Sequence, residues 1–560
     1  MTDWSTGNLA LRDLTTHSMI ALTHKASFPD DFAETSLISP DGKSIAYGWY
    51  AEANRKFDLR VMSLAAPDSG KSRVVYAGTP QGFTMPQSWT PDSRNIIAIM
   101  QIGDGTTGIA LIPASGGEPK RIRSFDWRYP DDLSLSPDGR WLAYDFPSEE
   151  NSGMRDVFVI SLNGEGERAI SSEKGDDFVV GWTRDGSRLL YGSERSGARA
   201  VWAMPMSNGR STGSPVLVRS DMWRMFPLGI TRAGNVFYGV HTGTRDSFVA
   251  PMDPVTGRVT SAPKAMNAPV TISPFSLAWS PDSKHLAQVI LRGHRPGVYG
   301  PSDILIRSVE QDDERRLTPR LSRITGLSWL PDGSALIVRG ANMKGRYGIY
   351  SVDLKTAKMR VIAESPKNWL GRLFALEPAG RNAYFVEVDT LGGSYITRLD
   401  LQTGAMQRIH AFPAPKFMVA MAVSPDGRHL MLAVRGGEYD RGIIAQLPVT
   451  GGTLKEIYRF NKSEAPVNGT GFAWSREGRE LLFGVVQASD TAYAKIDVRV
   501  LSISDGTVRP LGIPPGKIAM VRVSRDGRRI AYNVNDMVSE LWMMDEPVFD
   551  SSVAGKDRGH

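Results

Sequence analysis

The sequence predicts an all-β fold of tandem β-propellers built from four-stranded antiparallel blades, and three observations predict it. A Pro-Asp-Gly turn recurs between apolar runs, it recurs at blade length, and helical periodicity is nearly absent from the 560 residues. The clearest copy is Ser136-Pro137-Asp138-Gly139-Arg140-Trp141-Leu142-Ala143-Tyr144, led into by Leu133 and Leu135. Proline presets φ, aspartate bonds local backbone and glycine accepts positive φ, so the string between two strand-like runs is a β-hairpin.

The turn returns as Ser39-Pro40-Asp41-Gly42, Thr90-Pro91-Asp92-Ser93, Thr183-Arg184-Asp185-Gly186, Ser280-Pro281-Asp282-Ser283, Leu330-Pro331-Asp332-Gly333, Ser424-Pro425-Asp426-Gly427, Ser475-Arg476-Glu477-Gly478 and Ser524-Arg525-Asp526-Gly527. Thr231-Arg232-Ala233-Gly234 and Glu377-Pro378-Ala379-Gly380 are weaker copies, with alanine in place of the turn aspartate. Together there are about eleven copies, spaced by roughly 46–51 residues. Each hairpin is followed by two further strand-like runs, as at 156–162 and 168–170, 58–64 and 72–76, and 348–354 and 359–362. Four short strands make one blade, which must stack on neighbours to bury both faces.

About eleven blades exceed the four to eight of an ordinary propeller, so two rings are expected, with one oversized ring as the alternative. Proline accumulates over 252–273, which places the seam there: a first propeller of about five blades at 26–260 and a second of about six at 261–550. Residues 7–23 read as the back half of a blade, whereas 518–524, 529–534 and 540–545 supply three strands without a fourth. The expectation is that residues 1–25 complete the last blade, and that 551–560 form a disordered tail.

Composition narrows the function. Hydrophobic residues make up 41% and charged residues 22%, and the net charge of +6 includes no basic block, so direct nucleic-acid binding is not inferred. No apolar run approaches the roughly 20 residues of a membrane span. The N-terminus lacks the layout of a secretory signal, as expected of a cytoplasmic chain or of a periplasmic or extracellular one trimmed from a longer parent. The absence of cysteine excludes disulfides, thiol catalysis and thiolate metal sites, and the eight histidines show no helical metal spacing.

Candidate ligand-facing residues lie in the loops that approach each blade's first strand. In the first half these carry paired acids, Asp30 with Asp31, Asp131 with Asp132 and Asp176 with Asp177. Later they turn basic, at Arg224, Lys264, Arg320 with Arg323, Lys367 with Arg372, Lys416, Lys462 and Lys517. If these loops ring one face, the first propeller has an acidic mouth for a cation, a metal ion or a basic segment, and the second a basic mouth for an anionic ligand. The bland alternative is solvated loop charge. Among aromatics, Trp89, Trp182, Trp279, Trp329 and Trp474 precede the turns and read as packing between blades, whereas Trp127, Tyr129, Trp223, Phe226 and Trp369 fall in the approach loops. No cofactor is expected beyond that metal ion.

Two pattern matches are rejected. Gly209-Arg210-Ser211-Thr212-Gly213 fits a nucleophile elbow and Gly103-Asp104-Gly105-Thr106-Thr107-Gly108 a dinucleotide fingerprint, but neither has the helix that its chemistry needs. The Asp-Gly turns lack the ligand series of calcium loops.

The Ser-Pro-Asp-Gly repeats, the Trp-Ser or Trp-Thr before several turns, the opening Gly7-Asn8-Leu9-Ala10-Leu11-Arg12-Asp13-Leu14 and the closing Glu540-Leu541-Trp542-Met543-Met544-Asp545 resemble TolB-like, WD-type β-propeller proteins of environmental bacteria. The resemblance covers nearly the whole chain. It implies a non-catalytic binding scaffold or sensor for a protein, peptide or glycan, commonly placed behind a kinase or winged-helix DNA-binding domain in a longer parent. The alternatives are a glycosidase or polysaccharide lyase using Asp30, Asp31, Asp131, Asp132, Asp176, Asp177 and His241 at a channel mouth, and the accessory propeller of a protease system.

Overall fold

The computed structural model describes residues 1–3, 6–24, 31–51, 56–65, 72–79, 82–101, 106–149, 154–171, 175–222, 225–242, 245–266, 276–291, 302–311, 313–364, 370–389, 393–467, 471–487, 495–513, 516–536, 538–545 and 547. Its regular structure is strand alone among these residues, arranged in twelve antiparallel sheets, most of them four-stranded. No helix of the described residues is long and apolar enough to cross a membrane.

The turns explain why the string repeats. Ser39 Oγ donates to Asp41 Oδ1 at 2.6 Å, that oxygen accepts Lys43 N, and Gly42 N closes onto Ser39 O with φ of 72°. The same arrangement recurs at Ser136/Asp138, Ser424/Asp426 and Ser524/Asp526. These bonds hold the turn carboxylates below their usual range, with their oxygens turned onto the hairpin rather than outward. The two drifted copies keep their geometry. Glu377 takes over by accepting Arg381 N and Asn382 N, and Thr231 Oγ1 accepts Asn235 N.

Adjacent sheets are tied by the tryptophans before the turns. Trp89, Trp182 and Trp329 donate from Nε1 to the carbonyls of Leu37, Ser134 and Ala278, each on the innermost strand of the preceding sheet, at 3.1 Å. The apolar clusters lie between sheets, as where Tyr384, Val386 and Ile396 pack against Met418, Leu430, Leu432 and Leu447. Buried aliphatic surface of this kind is the main driving term for stacking blades.

The sheets form two successions. The later one closes: sheets whose first strands are 518–523, 278–279, 321–329, 370–376, 417–423 and the pair Glu464–Pro466 with Ala473–Trp474 touch in turn and return to the first. Trp279 Nε1 donates to Arg522 O at 3.2 Å across the seam, the same bond that links consecutive blades elsewhere. The earlier succession runs from the three-stranded sheet at 2–21, through the sheets at 31–76, 83–125, 133–169 and 178–219, to a three-stranded sheet at 225–242.

The ring closure differs from expectation. The N-terminal strands Thr2–Asp3, Asn8–Arg12 and Met19–Ala21 pair with one another and pack beside the sheet at 31–76. The last blade is completed instead by Arg245–Pro251 and Lys264–Ala265, which lie beside Arg529–Asn535. The chain therefore leaves the first ring after Thr242, ahead of the proline-rich stretch expected to divide the rings. The third C-terminal run, Val538–Met544, returns to the first ring and pairs with Val236–Thr242.

These four strands form one ribbon. Val236 faces Met544, Thr242 faces Val538, Arg245 faces Asn535 and Pro251 faces Arg529, so the register offset is unchanged across the step between rings. In both rings the first strand of a sheet runs from the approach-loop face to the hairpin-turn face, and its neighbours alternate. Val236–Thr242 is second in its sheet and runs toward the loop face; Arg245–Pro251 is third in its sheet and runs away from it. The paired strands of the first ring therefore end, and those of the second begin, at the loop faces.

Candidate functional site

The approach loops and the loops between second and third strands share one face, and in the first ring this face carries a belt of acids and arginines. Arg155, just before the strand Asp156–Ser161, ion-pairs with Asp131 at 2.8 Å and with Asp145 at 3.0 Å. Its backbone N–H donates to Asp176, and its carbonyl accepts Asp177 N. Asp176 in turn pairs with Arg199 at 3.0 Å, and Arg199 also reaches Glu194 at 3.2 Å and stacks over Phe178. Asp145 is 0% exposed and also accepts Asp131 N and Val179 N. The belt joins the sheet at 133–169 to that at 178–219.

The expected acidic mouth is thus largely neutralised by its own arginines. Of the six acids, Asp131, Asp132, Asp176 and Asp177 are brought together; Asp31 lies apart at the start of Asp31–Ile38, and Asp30 is outside the described residues. Burial forces this pairing, because a carboxylate in low dielectric needs a cation or several donors. Asp177 departs from the pattern. It is 1% exposed, neither oxygen makes a hydrogen bond of good geometry, and burial pushes its carboxyl up to about 6. The neighbouring Ser171 and Ser193 hydroxyls partly offset that rise, and the Asp156 and Asp176 charges add to it.

Among the described residues no three His, Asp or Glu side chains are grouped as a metal ion would need. The cation that the acidic mouth suggested finds arginine guanidinium groups in that place.

The basic candidates are spread over several sheets of the second ring. Arg320 is exposed; Arg323 donates to Tyr347 Oη at 2.6 Å and lies over that ring. Lys416 pairs with Glu438 at 2.6 Å, and Lys517 is half-buried beside the innermost strand 518–523. Lys264 and Lys462 are exposed, while Arg224, Lys367, Trp223, Trp369, residues 103–105 and the tail 551–560 lie outside the described residues.

The approach-loop aromatics pack within the protein. Tyr129 meets Phe83 edge-on at 5.8 Å, Phe226 stacks on His241 at 4.4 Å, and Trp127 Nε1 donates to Met343 O of the second ring at 2.8 Å. The tryptophans before the turns pack between blades as read, and Gly209–Gly213 forms a hairpin between Met206 and Ser211.

Asp145, Arg155 and Arg199 escaped the sequence reading. Each follows or precedes an apolar run rather than forming a doublet. The available signal was an acid ending the apolar run Trp141-Leu142-Ala143-Tyr144-Asp145.

No family model matches the chain. Over 70 residues it is 30% identical to dipeptidyl-peptidase 5 of Porphyromonas gingivalis, a match spanning 12% of this chain and 10% of that protein. Solved structures to which it is similar include TolB from Agrobacterium tumefaciens, at 16% identity and TM-score 0.42 over 52% of this chain and 99% of that one. An oligogalacturonate lyase from Vibrio parahaemolyticus is similar at 13% identity and TM-score 0.36, over 52% of this chain and 77% of that one. The tricorn protease is similar at 12% identity and TM-score 0.31, over 96% of this chain and 61% of that one. The antiparallel sheets and their tryptophan-linked succession make the chain a tandem β-propeller repeat protein.

Proposed function

We propose that the chain is a non-catalytic binding module of the TolB-like kind, which takes a protein, peptide or glycan segment on the loop faces of its two rings. The observation that supports it is the commitment of the loop-face acids. Asp131, Asp145 and Asp176 are held by Arg155 and Arg199, so none of these three is a free carboxylate for acid–base work. What the faces offer is shape, exposed guanidinium and ammonium groups, and a rigid frame. In a longer parent such a frame would serve as the sensing end.

Two parallel measurements test this. The purified chain is incubated with oligogalacturonate, aryl glycosides and peptide nitroanilides, and is titrated against peptide and glycan arrays. Binding without turnover, weakened about tenfold or more by Arg320→Glu with Lys462→Glu, supports the reading (about 1.4 kcal/mol). Turnover that Asp131→Asn abolishes overturns it.

A further inference from the structure

We propose that the first ring carries a separate site, for a small phosphate monoester, in the cleft between its sheets at 31–76 and 83–125 on the hairpin-turn face. This goes beyond the binding reading, which uses the loop faces. The cleft has a volume of 470 Å³, within the roughly 300–1,000 Å³ of small-molecule sites. Both sheets line it: Ser44 follows the turn of the first and Arg73 stands near the start of its outermost strand, while Ser93, Arg94 and Asn95 leave the turn of the second. Val61 and the buried Trp89 supply its apolar side.

Arg94 is an arginine that the fold does not use. Its backbone N–H serves the turn by donating to Asp92 Oδ1 at 3.0 Å, but its guanidinium makes no hydrogen bond or ion pair among the described residues. Arg73 gives one N–H to Ala114 O at 2.5 Å, which leaves the rest of its fork open. Ser93 stands where most turn copies carry glycine, at a φ of 59°. Its Oγ accepts Asp41 N at 3.1 Å, so its own hydrogen is left to donate. The Ser44 hydroxyl and the Asn95 amide add uncharged donors to the lining.

Among the described residues no carboxylate lines the cleft. The acids of the two turns, Asp41 and Asp92, are directed onto their own hairpins: Asp41 accepts Ser39 Oγ and Lys43 N, and Asp92 accepts Thr90 Oγ1 and Arg94 N. Two guanidinium groups among neutral donors, with no acid opposite them, select an anion. A carboxylate has only two oxygens for both forks. A phosphate monoester has three, with about two negative charges, so it can meet both arginines and the hydroxyls at once. The rest of the volume, beside Val61 and Trp89, takes the esterified group.

Calorimetric titration of the full chain with phenyl phosphate, inorganic phosphate, sulfate and galacturonate tests the site. Phenyl phosphate is expected to bind saturably and more tightly than the other three, and less tightly as salt rises. Arg94→Ala removes no side-chain contact of the fold, so it should weaken this binding about tenfold or more with the melting profile unchanged. Arg73→Lys keeps the charge but loses the fork, and should weaken it less than Arg73→Ala does. Arg320→Glu with Lys462→Glu, on the loop face of the second ring, should leave it unchanged. No saturable binding of phenyl phosphate, sulfate or galacturonate bound as tightly, or binding unmoved by Arg94→Ala overturns the proposal.

Discussion

The two rings finish themselves differently. In the second, Trp279 reaches Arg522 O and Asp526 N donates to Ser283 Oγ at 3.2 Å, contacts that repeat the ordinary bonds between consecutive blades. Behind them lies a buried polar cluster: Ser247 Oγ donates to Asn533 Oδ1 at 2.6 Å, and Gln288 Nε2 donates to Ser247 Oγ. In the first ring both end sheets have three strands and show large apolar side chains to solvent. Leu11, Met19 and Ile20 do so at one end, and Leu541, Trp542 and Met543, about half exposed, at the other. The second ring is locked at its seam; the first is held by its apolar clusters between sheets, with the belt around Asp145 on its loop face. Closure is a property of which strands meet, and strands 278 residues or more apart in sequence meet in the ribbon (Arg529 to Pro251).

The largest effect is expected from removing residues 528–560, which takes Arg529–Asn535 and Val538–Met544 from both rings. Calorimetry should show the loss of the second ring's transition, a change of about 5 kcal/mol or more. A preserved transition would break the comparison. Next, Asp145→Ala leaves Arg155 buried with less compensation and should cost about 3–5 kcal/mol in denaturant unfolding. The partly exposed Asp131→Ala should cost below about 1 kcal/mol. Equal costs would show that the belt is not graded by burial.

Asp177→Asn is expected to stabilise. The native carboxyl titrates near 6, above its ordinary 3.8, so the folded state holds more protons than the unfolded one between those values. Stability falls as pH rises through that window, and the whole cost is present above about pH 7. The variant should therefore exceed the native chain by about 2–3 kcal/mol at pH 8, with the difference vanishing below about pH 4. A pH-independent difference would contradict the burial of a charge there.

Asn533→Ala, at the locked seam, should cost about 1–2 kcal/mol by leaving the Ser247 hydroxyl without its acceptor. Leu541→Ser with Met543→Ser, at the open end, should change stability by less than about 1 kcal/mol. A larger loss would mean that this face is covered in solution.

The repeats were legible because their physics is local. Ser136, Asp138 and Gly139 make the hairpin with bonds inside six residues, so the string carries its own evidence. The tryptophans were legible too, since Trp182 occupies a fixed place relative to its turn. The ribbon was not: Thr242 and Val538 pair across 296 residues, and no period in the sequence marks either as the other's partner. The acid doublets were legible, but their arginine partners were not. Composition shows Asp131 and Asp176 but not that Arg155, standing between them in sequence, reaches both loops in space. Trp127 was singled out as a candidate for a ligand-facing surface, and its indole N–H meets Met343 O of the other ring.

The C-terminal strand returns to the middle of the chain, and with its neighbour Arg529–Asn535 it ties both rings together. Cysteine pairs introduced into this cysteine-free protein test it most directly. Thr242→Cys with Val538→Cys is expected to form a disulfide on mild oxidation, seen as a faster-migrating band under denaturing conditions. Leu11→Cys with Val538→Cys is expected to remain reduced. Efficient cross-linking of Leu11→Cys with Val538→Cys, and none between positions 242 and 538, would mean that the N-terminal strands hold the end of the chain and would contradict the account.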